Sequence, residues 1–83
     1  MSFRYEGREV KRTGRVKWFH ENGGYGMIRP AAGGRDVPAH YVDVEGDGFR
    51  TLYEGEWVEY ELAVGPRGPR AVRIKSIPQR RSR

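Results

Sequence analysis

Ring-bearing and basic side chains interleave through the 83-residue chain: Lys17, Trp18 and Phe19, then Tyr25 and Arg29, then His40 and Tyr41. Rings exposed beside cations form a platform for unpaired nucleobases, with the cations answering the phosphates. The same rings could instead fill a core or pair across strands. Other chemistries lack their residues. There is no cysteine, so there is no thiol nucleophile, thiolate metal site or disulfide framework. No Ser–His–Asp order accompanies a glycine-rich elbow, and no paired carboxylates sit on a recognisable scaffold. "GGRD" and the other glycine clusters lack the strand–helix setting of a phosphate loop. His20 and His40 have no other strong ligand pattern around them. The expectation is a protein that is not an enzyme and needs no cofactor or metal.

The net charge of +5 is unevenly spread. Arg4, Arg8, Lys11 and Arg12 outweigh Glu6 and Glu9 at the start, and Arg80, Arg81 and Arg83 close the chain. Residues 13–35 and 62–77 are basic, whereas 36–61 hold eight carboxylates against Arg50 alone. Basic patches of this kind suit a polyanion such as nucleic acid. The absence of cysteine fits a reducing compartment. No apolar run approaches the roughly 20 residues of a membrane span, and "MSFRYEGREV" is too charged for a signal peptide. A cytoplasmic, monomeric protein without membrane contact is expected.

The elements that would position these residues are strands. Twelve glycines and five prolines leave few windows for a periodic helix. "GRVKWFH", "GYGMIRP", "RDVPAHY", "EWVEYEL" and "RAVRIKSI" are short runs rich in β-formers and separated by turn chemistry, the pattern of a small barrel or sandwich. Alternation puts Tyr25 and Met27 on one side of the second run and Gly24, Gly26 and Ile28 on the other. The longer link from Val42 to Gly55 has room for a short 3₁₀ or helical turn. "GPRGPR" is expected to be a mobile loop, because its prolines oppose a regular strand. Residues 1–12 and 78–83 are expected to be flexible basic extensions on a domain spanning 13–77.

The order of these runs resembles the bacterial cold-shock domain from Thr13 to Ile77. "GRVKWFHENGGYGMIRP" looks like the family's first strand and first ribonucleoprotein motif, usually written VKWF…KGFGFI. "DVPAHY" is similar to the second motif, VFVHF, with its preceding aspartate. "DGFRTLYEG" matches the following aromatic loop, and "GPRGPRAVRI" resembles the Gly-Pro loop and last strand. The resemblance implies an all-β, five-stranded antiparallel OB-fold barrel. It also implies single-stranded RNA or DNA lying across strands one to three, with a role as RNA chaperone or regulator of transcription or translation. Carried over by position, the stacking and polar candidates are Lys17, Trp18, Tyr25, His40, Tyr41 and Phe49. Met27 and Pro38 occupy places where the family has phenylalanine, and Gly23 replaces a usual lysine. Base–aromatic stacking is worth about 1–3 kcal/mol per base, so those two positions predict weaker binding. Arg29, Arg35, Arg67 and Arg70 could compensate through phosphates, making affinity more salt-dependent and less base-selective.

The acidic middle offers a competing reading. Its carboxylates could simply be a solvated face turned away from the ligand. Alternatively, Trp57 and Tyr53 could anchor a protein partner inside an acidic rim, making the domain an interaction module with a weakened nucleic-acid face. Trp57 stands where the resembling family usually has a polar residue.

Overall fold

The computed structural model describes residues 4–5, 11–46 and 51–77. Its elements, in chain order, are β1 (Arg4–Tyr5), β2 (Arg12–His20), β3 (Tyr25–Pro30), β4 (Val37–His40), a 3₁₀ turn (Tyr41–Asp43), β5 (Trp57–Gly65) and β6 (Gly68–Ser76). All strand pairs are antiparallel. The order is β1-β5-β2-β3-β4, with β6 also paired to β5. Five strands carry the architecture, and two-residue β1 adds to the edge of β5 through Arg4↔Val64 and Tyr5↔Ala63. β4 lies beside β6 without a ladder between them, and a parallel bridge, Val44↔Ile74, helps to join the two ends of the sheet. The result is the OB-type barrel expected, curled but not fully hydrogen-bonded around its circumference.

Alternation decides which side of each strand faces inward. Val16, Ile28 and Val37 form one cross-strand row at the inner surface. Val58, Tyr60, Ala39, Val44, Leu52, Ala71 and Ile74 complete the buried cluster, with Phe19 and Leu62 packed against it. Each large aliphatic in such a core contributes roughly 1.5–3 kcal/mol through the water it leaves. Among the described residues no helix is long and apolar enough to cross a membrane.

Several expectations change. "GPRGPR" is not a loop: β5 continues to Gly65, β6 begins at Gly68, and only Pro66 and Arg67 make the turn. Proline suits a tight turn because its ring fixes φ near the value the second turn position requires. Pro69 and Arg70 then lie within β6, opposite Val64 and Ala63. β2 begins at Arg12, one residue before the expected boundary, and Arg12 pairs with Tyr60, while Arg4 and Tyr5, within the expected extension, pair with β5. The 3₁₀ turn of the long link is present at Tyr41–Asp43. Residues 78–83 lie outside the described residues.

The acidic middle is not simply a solvated face. Glu61 is only 6% exposed and lies 3.5 Å from Arg73 and 3.8 Å from Lys11. Asp43 meets Arg70 at 3.0 Å. Glu56 accepts from the Tyr53 backbone N–H at 2.9 Å and from the Ser76 hydroxyl. These carboxylates knit the link and β5 to β6 and to the start of β2. Burial raises the Asp43 carboxyl above its ordinary pKa, although Arg70 and His40 pull in the opposite direction.

Candidate nucleic-acid interface

A register shift in β2 builds the site. Val16 pairs with Ile28, yet Trp18, two residues later, pairs with Met27, only one residue earlier in β3. Lys17 is the extra residue of this bulge. A bulge reverses the inward–outward sequence of every residue beyond it. Phe19 therefore turns toward the core, while Trp18 and His20 come opposite Met27 and Tyr25. A regular strand would have sent Trp18 inward.

The rings then meet. Trp18 lies 5.0 Å from His20 and 5.9 Å from Tyr25, and His20 lies 5.3 Å from Tyr25. The Trp18–Tyr25 pair is edge-on, one of the favoured aromatic geometries. On the neighbouring strand His40 is the cross-strand partner of Tyr25, and its ring sits 4.9 Å from that of Tyr41. Tyr25 is 47% exposed and Tyr41 45%, whereas Trp18 and His40 are half-buried. The His40 Nδ1 accepts from the Val42 N–H at 3.3 Å, so the neutral ring carries its proton on Nε2 and presents a donor there.

Two glycines make the floor for these rings. A Cβ on Gly24 would stand 2.7 Å from the Tyr41 ring, and the residue's φ of +70 is one that side chains oppose. A Cβ on Gly26 would be 2.8 Å from the Phe19 Cα and would strike the Trp18 carbonyl. The glycine cluster thus lets β3 press against β2 and lets Tyr41 lie over the chain. The Tyr41 N–H also donates to the Gly24 carbonyl at 2.8 Å.

Beyond the rings the strip becomes apolar and basic. Met27, half-buried, faces Pro38 across the β3–β4 ladder. Pro38 is tolerated because β4 ends the sheet order, where a missing N–H need not break a ladder. Both line an open groove of about 870 Å³ shared with Arg35, Arg67, Pro69 and Arg12. Arg29 follows Met27 on the same outward side and is exposed.

Most of the expected site residues therefore share one surface: Trp18, Tyr25, Met27, Arg29, Pro38, His40 and Tyr41, with Arg67 across the groove. Phe49 lies outside the described residues. Lys17 is exposed, but its Nζ is 2.8 Å from Asp36 Oδ2. Arg70, expected to help with phosphates, is engaged with Asp43. Sequence reasoning missed His20, which the bulge brings to Tyr25. It also missed Arg15, whose guanidinium carbon lies 4.7 Å from the centroid of the Trp57 ring. Trp57 is consequently half-buried rather than openly exposed, and Tyr53, at 62%, is the exposed ring of that region.

Comparison with known proteins agrees with this geometry. The model of the 'Cold-shock' DNA-binding domain matches residues 12–77. The chain is 48% identical over 68 residues to the cold shock-like protein CspC of Escherichia coli K12, covering 82% of this chain and 99% of that protein. It is 46% identical over 65 residues to the cold shock-like protein CspA of Bordetella pertussis, covering 78% and 97%. Among solved structures, Drosophila Unr CSD456 superposes with a TM-score of 0.71 at 23% identity, over 90% of this chain and 30% of that one. That likeness concerns the fold, whereas the family match spans nearly every strand, and the chain belongs to the cold-shock DNA-binding domain family.

Proposed function

We propose that the protein binds single-stranded nucleic acid along the outward surface of β2, β3 and β4. Bases stack on Tyr25 and Tyr41 and against the edge of Trp18, and His40 offers a hydrogen-bond donor between them. The observation that carries this reading is the pair of half-exposed tyrosines flanking Trp18 and His40 on a common surface. A core or a simple cross-strand role would not leave both rings open to water. Phosphates are met by Arg29, Arg35 and Arg67, each exposed. No reaction is involved: the preference for unpaired over paired bases shifts a pairing equilibrium toward the open form, which is how such a protein acts as an RNA chaperone.

Met27 and Pro38 provide apolar contact without a π-face, so the affinity leans on phosphates. Titrating oligo-dT at low and moderate salt should give binding that weakens steeply with salt and falls by about 1–3 kcal/mol in a Tyr25→Ala variant. Tight binding insensitive to salt, or to loss of Tyr25, would defeat the proposal. The protein-docking reading is less favoured, since Trp57 lies beneath Arg15 and leaves Tyr53 as the exposed ring there.

A further inference from the structure

Trp57, Arg15 and Arg29 form a continuous cross-strand row over β5, β2 and β3. Arg15 and Arg29 are direct partners in the ladder, both exposed. Like charges placed opposite each other destabilise a sheet. Neither arginine has a carboxylate within ion-pair distance among the described residues; Asp36, near the row, is already held by Lys17. One face of the Arg15 guanidinium is restrained by the Trp57 ring, a cation–π arrangement that limits its rotamers and keeps its donors directed outward. Restraining a side chain before it binds lowers the ordering cost of binding.

We propose that Arg15 and Arg29 clamp one phosphate of a single-stranded nucleic acid, extending the interface from the aromatic strip toward β5. The inference rests on the nucleic-acid reading above and adds a position to it. Arg29 continues the Tyr25–Met27 side of β3, so a strand lying on the rings reaches the pair by running along the same surface. Trp18 lies three residues along β2 from Arg15, at most about 10 Å of extended chain. A phosphodiester placed between the arginines removes their mutual repulsion and accepts from both guanidinium forks. An acidic protein segment would relieve the same repulsion, with Tyr53 exposed near the Trp57 end of the row, but the Arg29 end adjoins the stacking strip directly, which favours the nucleic acid.

The test compares oligo-dT of about 4 and about 12 nucleotides, both within the roughly 4–16 nucleotides that such barrels cover, over a salt series. For a single strand, one neutralised phosphate contributes a slope of about 0.7 in log affinity against log salt. An Arg15→Gln/Arg29→Gln double variant should lose about 0.7 of slope on the longer oligomer, roughly 2.6-fold of affinity across a fourfold salt change. The shorter oligomer, held mainly on the rings, should lose less of the slope than the longer one. Arg29→Gln alone, which leaves the Arg15–Trp57 contact in place, should lose part of the same slope. An unchanged slope on the longer oligomer would overturn the clamp. A loss near 1.4 would also overturn it, since the arginines would then hold separate phosphates, as would equal losses at both lengths. Short-oligomer binding that is unchanged in a Tyr25→Ala variant would instead strike the underlying aromatic reading, so the two failures are distinguishable.

Discussion

Met27→Phe should tighten binding. Met27 is half-buried between Trp18 on β2 and Pro38 on β4, its register partners, and it borders the open groove. A phenyl ring there has room on the solvent side and does not enter the packed cluster around Ile28. Stacking a base on an aromatic ring contributes about 1–3 kcal/mol relative to alanine. Methionine already supplies some of that contact through its polarisable thioether. The net gain should therefore be about 1 kcal/mol, or roughly fivefold in affinity. Fluorescence titration with oligo-dT measures it, in a Trp57→Phe background so that Trp18 alone reports. A gain of function is the informative direction, because a damaged fold cannot produce it. If thermal unfolding shows an intact domain and the affinity is unchanged or weaker, no base lies over position 27, and the path drawn for the nucleic acid is wrong.

Two further outcomes concern the scaffold. Gly26→Ala should destabilise the domain by about 3 kcal/mol or more in urea unfolding, because its methyl meets backbone atoms of β2 that cannot move aside; a loss below about 1 kcal/mol would show that β2 and β3 can separate there. Asp43→Asn tests the buried carboxyl. Because burial raises the folded-state pKa above the ordinary 3.8, the native state holds that proton more tightly than the unfolded chain. The resulting stabilisation is complete below the unfolded value and lost as pH rises through the folded one. Stability measured from about pH 3 to pH 6 should therefore shift in favour of the asparagine variant relative to wild type as pH rises; the opposite trend would mean that the Arg70 pairing outweighs burial.

The strands were legible because alternation is local: Val16, Ile28, Val58 and Ile74 declare their sides within a few residues of sequence. The ring surface was legible in composition and in motif order. The bulge at Lys17 was not, since it depends on how β2 meets β3 rather than on β2 itself, and the placement of His20 depends on it. The hairpin at Pro66–Arg67 was misread because proline signals a turn and a broken strand equally well. Only the pairing of Gly65 with Gly68 distinguishes them. The acidic middle reads as solvated because partners such as Arg73 and Lys11 come from segments distant in sequence, and ion-pair partners across a barrel are fixed by register. Trp57 looked like an isolated anchor for the same reason.

The Lys17–Asp36 contact has a bearing on discrimination among anions. A polyanion arriving at Lys17 meets an ammonium whose charge is already balanced from within the chain. Engaging it exchanges one ionic bond for another and leaves a carboxylate to be rehydrated or repelled. That internal competitor is expected to blunt indiscriminate attraction at the centre of the surface. Ligands that also fill the ring positions would then hold an advantage over those that offer charge alone.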